Sequence, residues 1–155
     1  MRSGRRIAFD VGQARIGVAI SDFHGILASP AEHIKRSEID AAVEMMAAVA
    51  INHDALEIYV GLPINLRGEA TESTRDAVAV AKALAGKTDI PVYLIDERMT
   101  TSVAAKAMRQ AGKSSKEQRA FIDSAAAAVI LEQALDAEKR LGSVNTQLAK
   151  DYTDA

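Results

Sequence analysis

The sequence predicts an α/β fold, a mixed five-stranded sheet covered by helices on both faces, and three observations lead there. Three apolar, β-rich stretches open the chain with only turn-length gaps between them, which favours antiparallel pairing of neighbours. Strands then alternate with helical patterns, which favours parallel pairing through right-handed crossovers. The 155 residues suffice for one stable core, and no linker-like composition divides them. The expectation is a single domain over residues 1–141, with 142–155 a loosely ordered tail.

The first two strands read from Arg5 to Val11 and from Arg15 to Ser21, joined by a hairpin turn at "GQA". Gly25 to Lys35 reads as a third antiparallel strand, bent at Pro30. "SEIDAAVEMMAAVAIN" has a serine to cap a helix and helical spacing of Ile39, Val43, Met46 and Val49; its Met45 to Ala48 reads as core packing. "ALEIYVGL" is a compact apolar strand, and "TESTRDAVAVAKALAGK" a second helix ending near Gly86. "IPVYLID" is the fifth strand. "TTSVAAKAMRQAG" opens on hydroxyl caps, and Ser114 with Glu117 makes a capping box for a long last helix reaching about Arg140. The expected sheet pairs the first three strands antiparallel and the first, fourth and fifth parallel.

Composition narrows the chemistry. Without cysteine there is no disulfide framework and no thiolate metal site. No apolar run approaches the length of a membrane span, and Asp10 interrupts the apolar stretch behind the basic "MRSGRR", so the expectation is a cytoplasmic protein with no membrane partner. A net charge of −2 does not announce a nucleic-acid binder. Arg2, Arg5, Arg6, Arg15, Lys35 and Arg36 nevertheless crowd the first part, and Lys113, Lys116 and Arg119 form a second group. His24, His33 and His53 share neither ligand spacing nor a helical face.

Three carboxylates stand out by position. Asp10 lies late in the first strand, and Asp96–Glu97 end the fifth. If the first and fifth strands flank the fourth, these acids reach one edge, where parallel sheets build their sites. In "FIDSAAAAVIL", Asp123 shares a helical stripe with Ala126, Ala127 and Ile130, and the alanines allow the helix close to the sheet. Acids so gathered cannot all stay ionised without a cation, and a hard divalent ion suits their oxygens. Taken singly, each acid also reads as an ordinary loop cap, local ion pair or helix-dipole partner.

Four stretches carry a family resemblance: "DVGQARIGVAISD", "VGLPINLRGE", "DERMTT" and "IDSAAAAVIL", in that order along the chain. The sequence resembles the YqgF/RuvX family, described both as Holliday-junction-resolvase-like proteins and as pre-16S rRNA nucleases. The resemblance implies the RNase H-like fold and a metal-dependent nuclease, with Asp10, Glu97 and Asp123 as catalytic residues and metal ligands. Mg²⁺ or Mn²⁺ is the implied cofactor, as two ions that Asp10 bridges. Pleat alternation separates Asp96 from Glu97, and the family pattern selects Glu97. Pre-rRNA is the implied substrate, with branched DNA as the alternative and the pre-ribosomal particle as a possible partner.

Arg15, Arg67 and Arg98 are candidate phosphate contacts, and Gly61 a candidate for close backbone approach to a phosphate. Thr100 and Thr101 read as helix caps. Two rivals stay open: an ATP-handling lobe, since "DVGQARIGVAISD" also resembles a phosphate-binding hairpin, and a non-catalytic RNA-binding module. The sequence is compatible with a monomer or a homodimer.

Overall fold

The computed structural model describes residues 2–96, 124–144 and 146–153. Its strands are β1 (Arg6–Val11), β2 (Arg15–Ser21), β3 (Ala28–Lys35), β4 (Glu57–Leu62), β5 (Val92–Asp96) and β6 (Gln147–Leu148). They form one sheet in the order β3-β2-β1-β4-β5-β6. The β1–β2 and β2–β3 pairs are antiparallel, and β1–β4 and β4–β5 are parallel, as the sequence predicts.

The sixth strand is a correction to the expected five. Tyr93 pairs with Leu148 and Leu94 with Gln147, antiparallel. Two residues are too few to print an alternating pattern. The next residue, Ala149, is fully buried in the core, and the Tyr152 carbonyl accepts from Lys82 Nζ at 2.8 Å. The segment expected to hang loose is thus seated on the sheet edge over 147–152.

Side chains alternate between two layers. Ile7, Phe9, Ile16, Val18, Ile58, Val60, Val92 and Leu94 face α1 (Ile39–Asn52) and α2 (Glu72–Ala85), which supply Val43, Met46, Ala50, Val80, Ala81 and Leu84. On the other face Ala8, Ala19, Tyr59 and Ile95 meet Ala127, Ala128, Ile130, Leu131 and Leu135 of α3 (Ala125–Leu141). Ala8 and Ala19 are cross-strand partners. Small side chains on both surfaces let this helix lie close to β1 and β2.

Several local expectations are corrected. The α1 cap is Glu38, with no side-chain cap bond, so Ser37 does not cap it. Within Met45 to Ala48, Met46 and Ala47 are buried while Met45 and Ala48 face outward, as the helical period requires. β3 starts at Ala28 because the Asp22 carboxylate accepts the N–H groups of Ile26 (2.7 Å) and Leu27 (2.8 Å), turning that segment into a loop. Pro30 sits in register opposite Ala19 on this edge strand; the irregularity falls instead between Ile16 and Val18. The last helix is described from Ala125, with Ser124 as its cap residue; the capping box expected at Ser114 and Glu117 lies outside the described residues.

Ser124 spends its hydroxyl elsewhere. At the irregular point of β2, its Oγ accepts the Val18 N–H at 2.9 Å, in a buried position. This pins the head of α3 to the sheet.

The opposite end of the sheet is closed by charge. Arg6 of β1 is fully buried and donates to Glu138 Oε2 at 2.5 Å and to the Gly4 carbonyl at 2.7 Å. Arg2 donates to Glu138 Oε1 and Glu57 Oε1, both at 2.6 Å, and the Tyr59 hydroxyl also donates to Glu57. Two guanidinium groups and two carboxylates cancel there.

Two outcomes follow for stability. Ser124→Ala strands a buried N–H and is expected to cost about 1–3 kcal/mol in urea unfolding, with faster exchange of the Val18 amide. Glu138→Gln leaves the buried Arg6 without its counter-charge and is expected to cost about 3–5 kcal/mol by the same measurement. Wild-type midpoints in either variant would contradict these roles.

Candidate active site at the carboxyl edge of the parallel strands

Because β1, β4 and β5 are parallel, their carboxyl ends, at Val11, Leu62 and Asp96, share one edge of the sheet. Asp10 lies one residue inside that edge and is half-buried. Ala8 belongs to the α3 layer while Phe9 and Val11 belong to the other, so alternation puts Asp10 on the α3 face. Its partner on β2 is Gly17. On β4, Phe9 pairs with Val60, so the next step sets Gly61 level with Asp10. Both glycines are buried, and neither puts a side chain beside the carboxylate.

Gly61 lies inside β4, as the strand read from the sequence has it, and is paired with Ile95. What it contributes is room. Asp96 is paired with Leu62 and is out of phase with Ile95, so it lies on the α1–α2 face, opposite Asp10. Asp96 therefore stands away from the Asp10 side of the sheet. Glu97, Arg98 and Asp123, together with Thr100 and Thr101, lie outside the described residues.

Arg15 starts β2 and is exposed, two residues before Gly17 and so on the same face as Asp10. The turn before it is tight. Gly12 N–H donates to the Arg15 carbonyl at 2.9 Å, and a Cβ on Gly12 would stand 2.7 Å from that oxygen. Only glycine fits.

Arg67 is exposed in the loop between β4 and α2. There Asn65 Oδ1 accepts the N–H groups of Arg67 (3.0 Å) and Glu69 (2.9 Å), and Gly68 takes φ +79°. Thr71 and Thr74 form a reciprocal capping box at the start of α2, and the Thr74 hydroxyl also donates to the Pro63 carbonyl. The loop is held to its helix at both ends.

Two contributors were not legible as site elements. Ser124, directly after Asp123, lands on Val18, next to the glycine opposite Asp10; its only sequence signal is a hydroxyl heading an alanine run. Arg36 donates to Asp76 on α2 through two bonds of 2.6 Å and to the Gly12 carbonyl at 2.9 Å. Those donated bonds hold the Asp76 carboxyl below its ordinary range, against the opposing effect of burial. Nothing in a separation of 40 residues announces that pair.

The donor chemistry at Asp10 fits a hard cation. Among the described residues, none donates a hydrogen bond to its carboxylate or pairs with it, and no three His, Asp or Glu side chains gather into a metal site. A half-buried carboxylate supplied with room on both flanks is suited to an oxygen-seeking divalent ion. Asp10 is the one expected ligand within the described residues.

Comparison with known proteins agrees with this architecture. The chain aligns with Thermus thermophilus RuvC, free (TM-score 0.55, 18% identity, 92% of this chain and 99% of the other) and in complex with a Holliday junction substrate (TM-score 0.56, 17% identity, 93% and 99%). That likeness gives the RNase H-like fold. A protein of Clavibacter michiganensis named "Putative pre-16S rRNA nuclease" is 48% identical over 92% of this chain and 89% of its own length. One of Mycobacterium bovis with the same name is 45% identical over 96% and 87%. No helix among the described residues is long and apolar enough to cross a membrane. The family described as "RuvX: Holliday junction resolvase" matches residues 4–137, and the chain belongs to that family.

Proposed function

We propose that this protein is a divalent-metal-dependent nuclease that hydrolyses phosphodiester bonds in RNA and processes the 5′ end of pre-16S rRNA in the cytoplasm. The observation that carries this reading is the setting of Asp10: a half-buried carboxylate at the carboxyl edge, between two glycines, beside the pinned head of α3. The relatives named for pre-16S rRNA support the choice of substrate.

In this reading Asp10, Glu97 and Asp123 hold Mg²⁺ or Mn²⁺, as two ions. With the metal bound, the site has Lewis acidity toward a phosphoryl oxygen and a more acidic water. The protein's own part is positioning. Asp10 fixes the depth of the scissile phosphate against the sheet, and Gly17 and Gly61 leave the space it occupies. Arg15 and Arg67 approach the flanking phosphates from the β1–β2 turn and from the loop after β4, and Arg98 is a third phosphate contact. The net charge of −2 offers little long-range attraction to RNA, which fits a substrate presented on a pre-ribosomal particle. The family description supports cleavage of four-way DNA junctions as a second reading.

Purified protein is expected to shorten the 5′ end of a pre-16S fragment in Mg²⁺ or Mn²⁺ and not in EDTA; a four-way DNA junction cut in preference to the RNA would transfer the assignment to the second reading. Asp10→Asn is expected to abolish cleavage while its melting temperature stays level or rises, because a half-buried carboxylate with no partner among the described residues is replaced by a neutral amide. Undiminished cleavage by that variant would take Asp10 out of the mechanism.

A further inference from the structure

Arg36 stands at the junction of three pieces of this edge. Its guanidinium grips both carboxylate oxygens of Asp76 on α2 at 2.6 Å. The Nη1 atom that bonds Asp76 also donates to the Gly12 carbonyl at 2.9 Å, and the Arg36 backbone N–H donates to the Ala14 carbonyl at 3.0 Å. The β1–β2 turn is thus held at two carbonyls by one residue. The Arg36 side chain is only 11% exposed and that of Asp76 31%, so the pair is partly shielded from solvent.

The two parts so joined are the ones that carry phosphate-binding candidates. The turn at Gly12 leads directly into Arg15, and α2 carries at its capped start the loop that bears Arg67. A planar guanidinium bound on two edges resists rotation, so it transmits a fixed angle between turn and helix. An apolar residue of similar length would fill the same space without setting that angle.

We propose that Arg36 is a positioning residue: clasped to Asp76 and bonded to Gly12, it sets the β1–β2 turn so that Arg15 meets a substrate phosphate beside Asp10. This rests on the reading of that edge as the catalytic one. Arg36 itself touches neither substrate nor metal.

The test measures RNA cleavage and amide exchange on the full-length protein. Arg36→Met is expected to raise KM about tenfold with kcat within about twofold, since substrate binding is weakened and the reacting centre is kept. Arg36→Lys, which keeps the charge and one donor, should recover part of that loss. Arg15→Gln should raise KM on its own, and adding Arg36→Met to it should raise KM no further, because both changes remove one shared contact. Exchange at the Gly12 amide should quicken about tenfold in Arg36→Met as the turn opens.

A wild-type KM in Arg36→Met, or additive effects of Arg15→Gln and Arg36→Met, would overturn the proposal. Should Arg36→Met lose its cooperative melt, Asp76→Asn serves in its place, with the same expected KM rise and the same lack of additivity with Arg15→Gln. If the wild-type protein cleaves no RNA under any divalent ion, the nuclease reading fails. Exchange at Gly12 then decides the clasp by itself, an unchanged rate overturning it.

Discussion

The buried bond from the Val18 N–H to Ser124 Oγ joins the third helix to the middle of the sheet at the one point where the β2–β3 register slips. A slip in an antiparallel ladder leaves backbone polar groups without strand partners, and a buried N–H left so is costly. Here the gap is filled from another element. The result is that α3 has a defined starting point on β2, one residue from the partner of Asp10. The alanines that follow carry the helix down onto Ala8 and Ala19, so its approach is set by backbone distance rather than by the size of interposed side chains. Larger residues in that layer would lift the helix and everything attached to its head.

The two ends of the sheet treat charge in opposite ways. At the amino end of β1 and β4, Glu57 and Glu138 are each met by arginine, with Tyr59 adding a hydrogen bond, and the group is self-contained. At the carboxyl end Asp10 receives nothing of the kind from the described residues. Arg15 sits on the same face as Asp10, at the start of the neighbouring strand. Among the described residues the two ends thus differ, and the Arg36–Asp76 pair keeps a further guanidinium occupied near the carboxyl end.

Most of the architecture was legible because it rests on period and spacing. β1, β2, β4 and β5 announce themselves by apolar runs, and their parallel and antiparallel pairing follows from the connections between them. Alternation in the sequence separates Asp96 from Glu97, while which of them leaves the Asp10 face depends on the register of β5 against β4. What escaped was set by single side chains acting on distant or local backbone. Asp22 shortens β3 by capturing two amides, Ser124 starts a helix while bonding a different strand, and Arg36 finds Asp76 across the fold. The β6 pairing escaped for a different reason, since two residues of strand depend on Ala149 being drawn into the core rather than on any pattern of their own.

The pairing of Arg6 with Glu138 links residues 132 positions apart, and Arg2 reaches the same carboxylate over 136. β1 is also an interior strand, which must have β2 on one side and β4 on the other. During synthesis the opening strand therefore emerges from the ribosome carrying a charge whose neutraliser has yet to be made. The Arg6–Glu138 pair is therefore a contact of very high sequence separation, and this end of the sheet is closed only when the last helix has joined it. The amino end of the first strand thus depends for its charge balance on the far end of the last helix, and shortening that helix before Glu138 would leave Arg6 buried without a counter-charge.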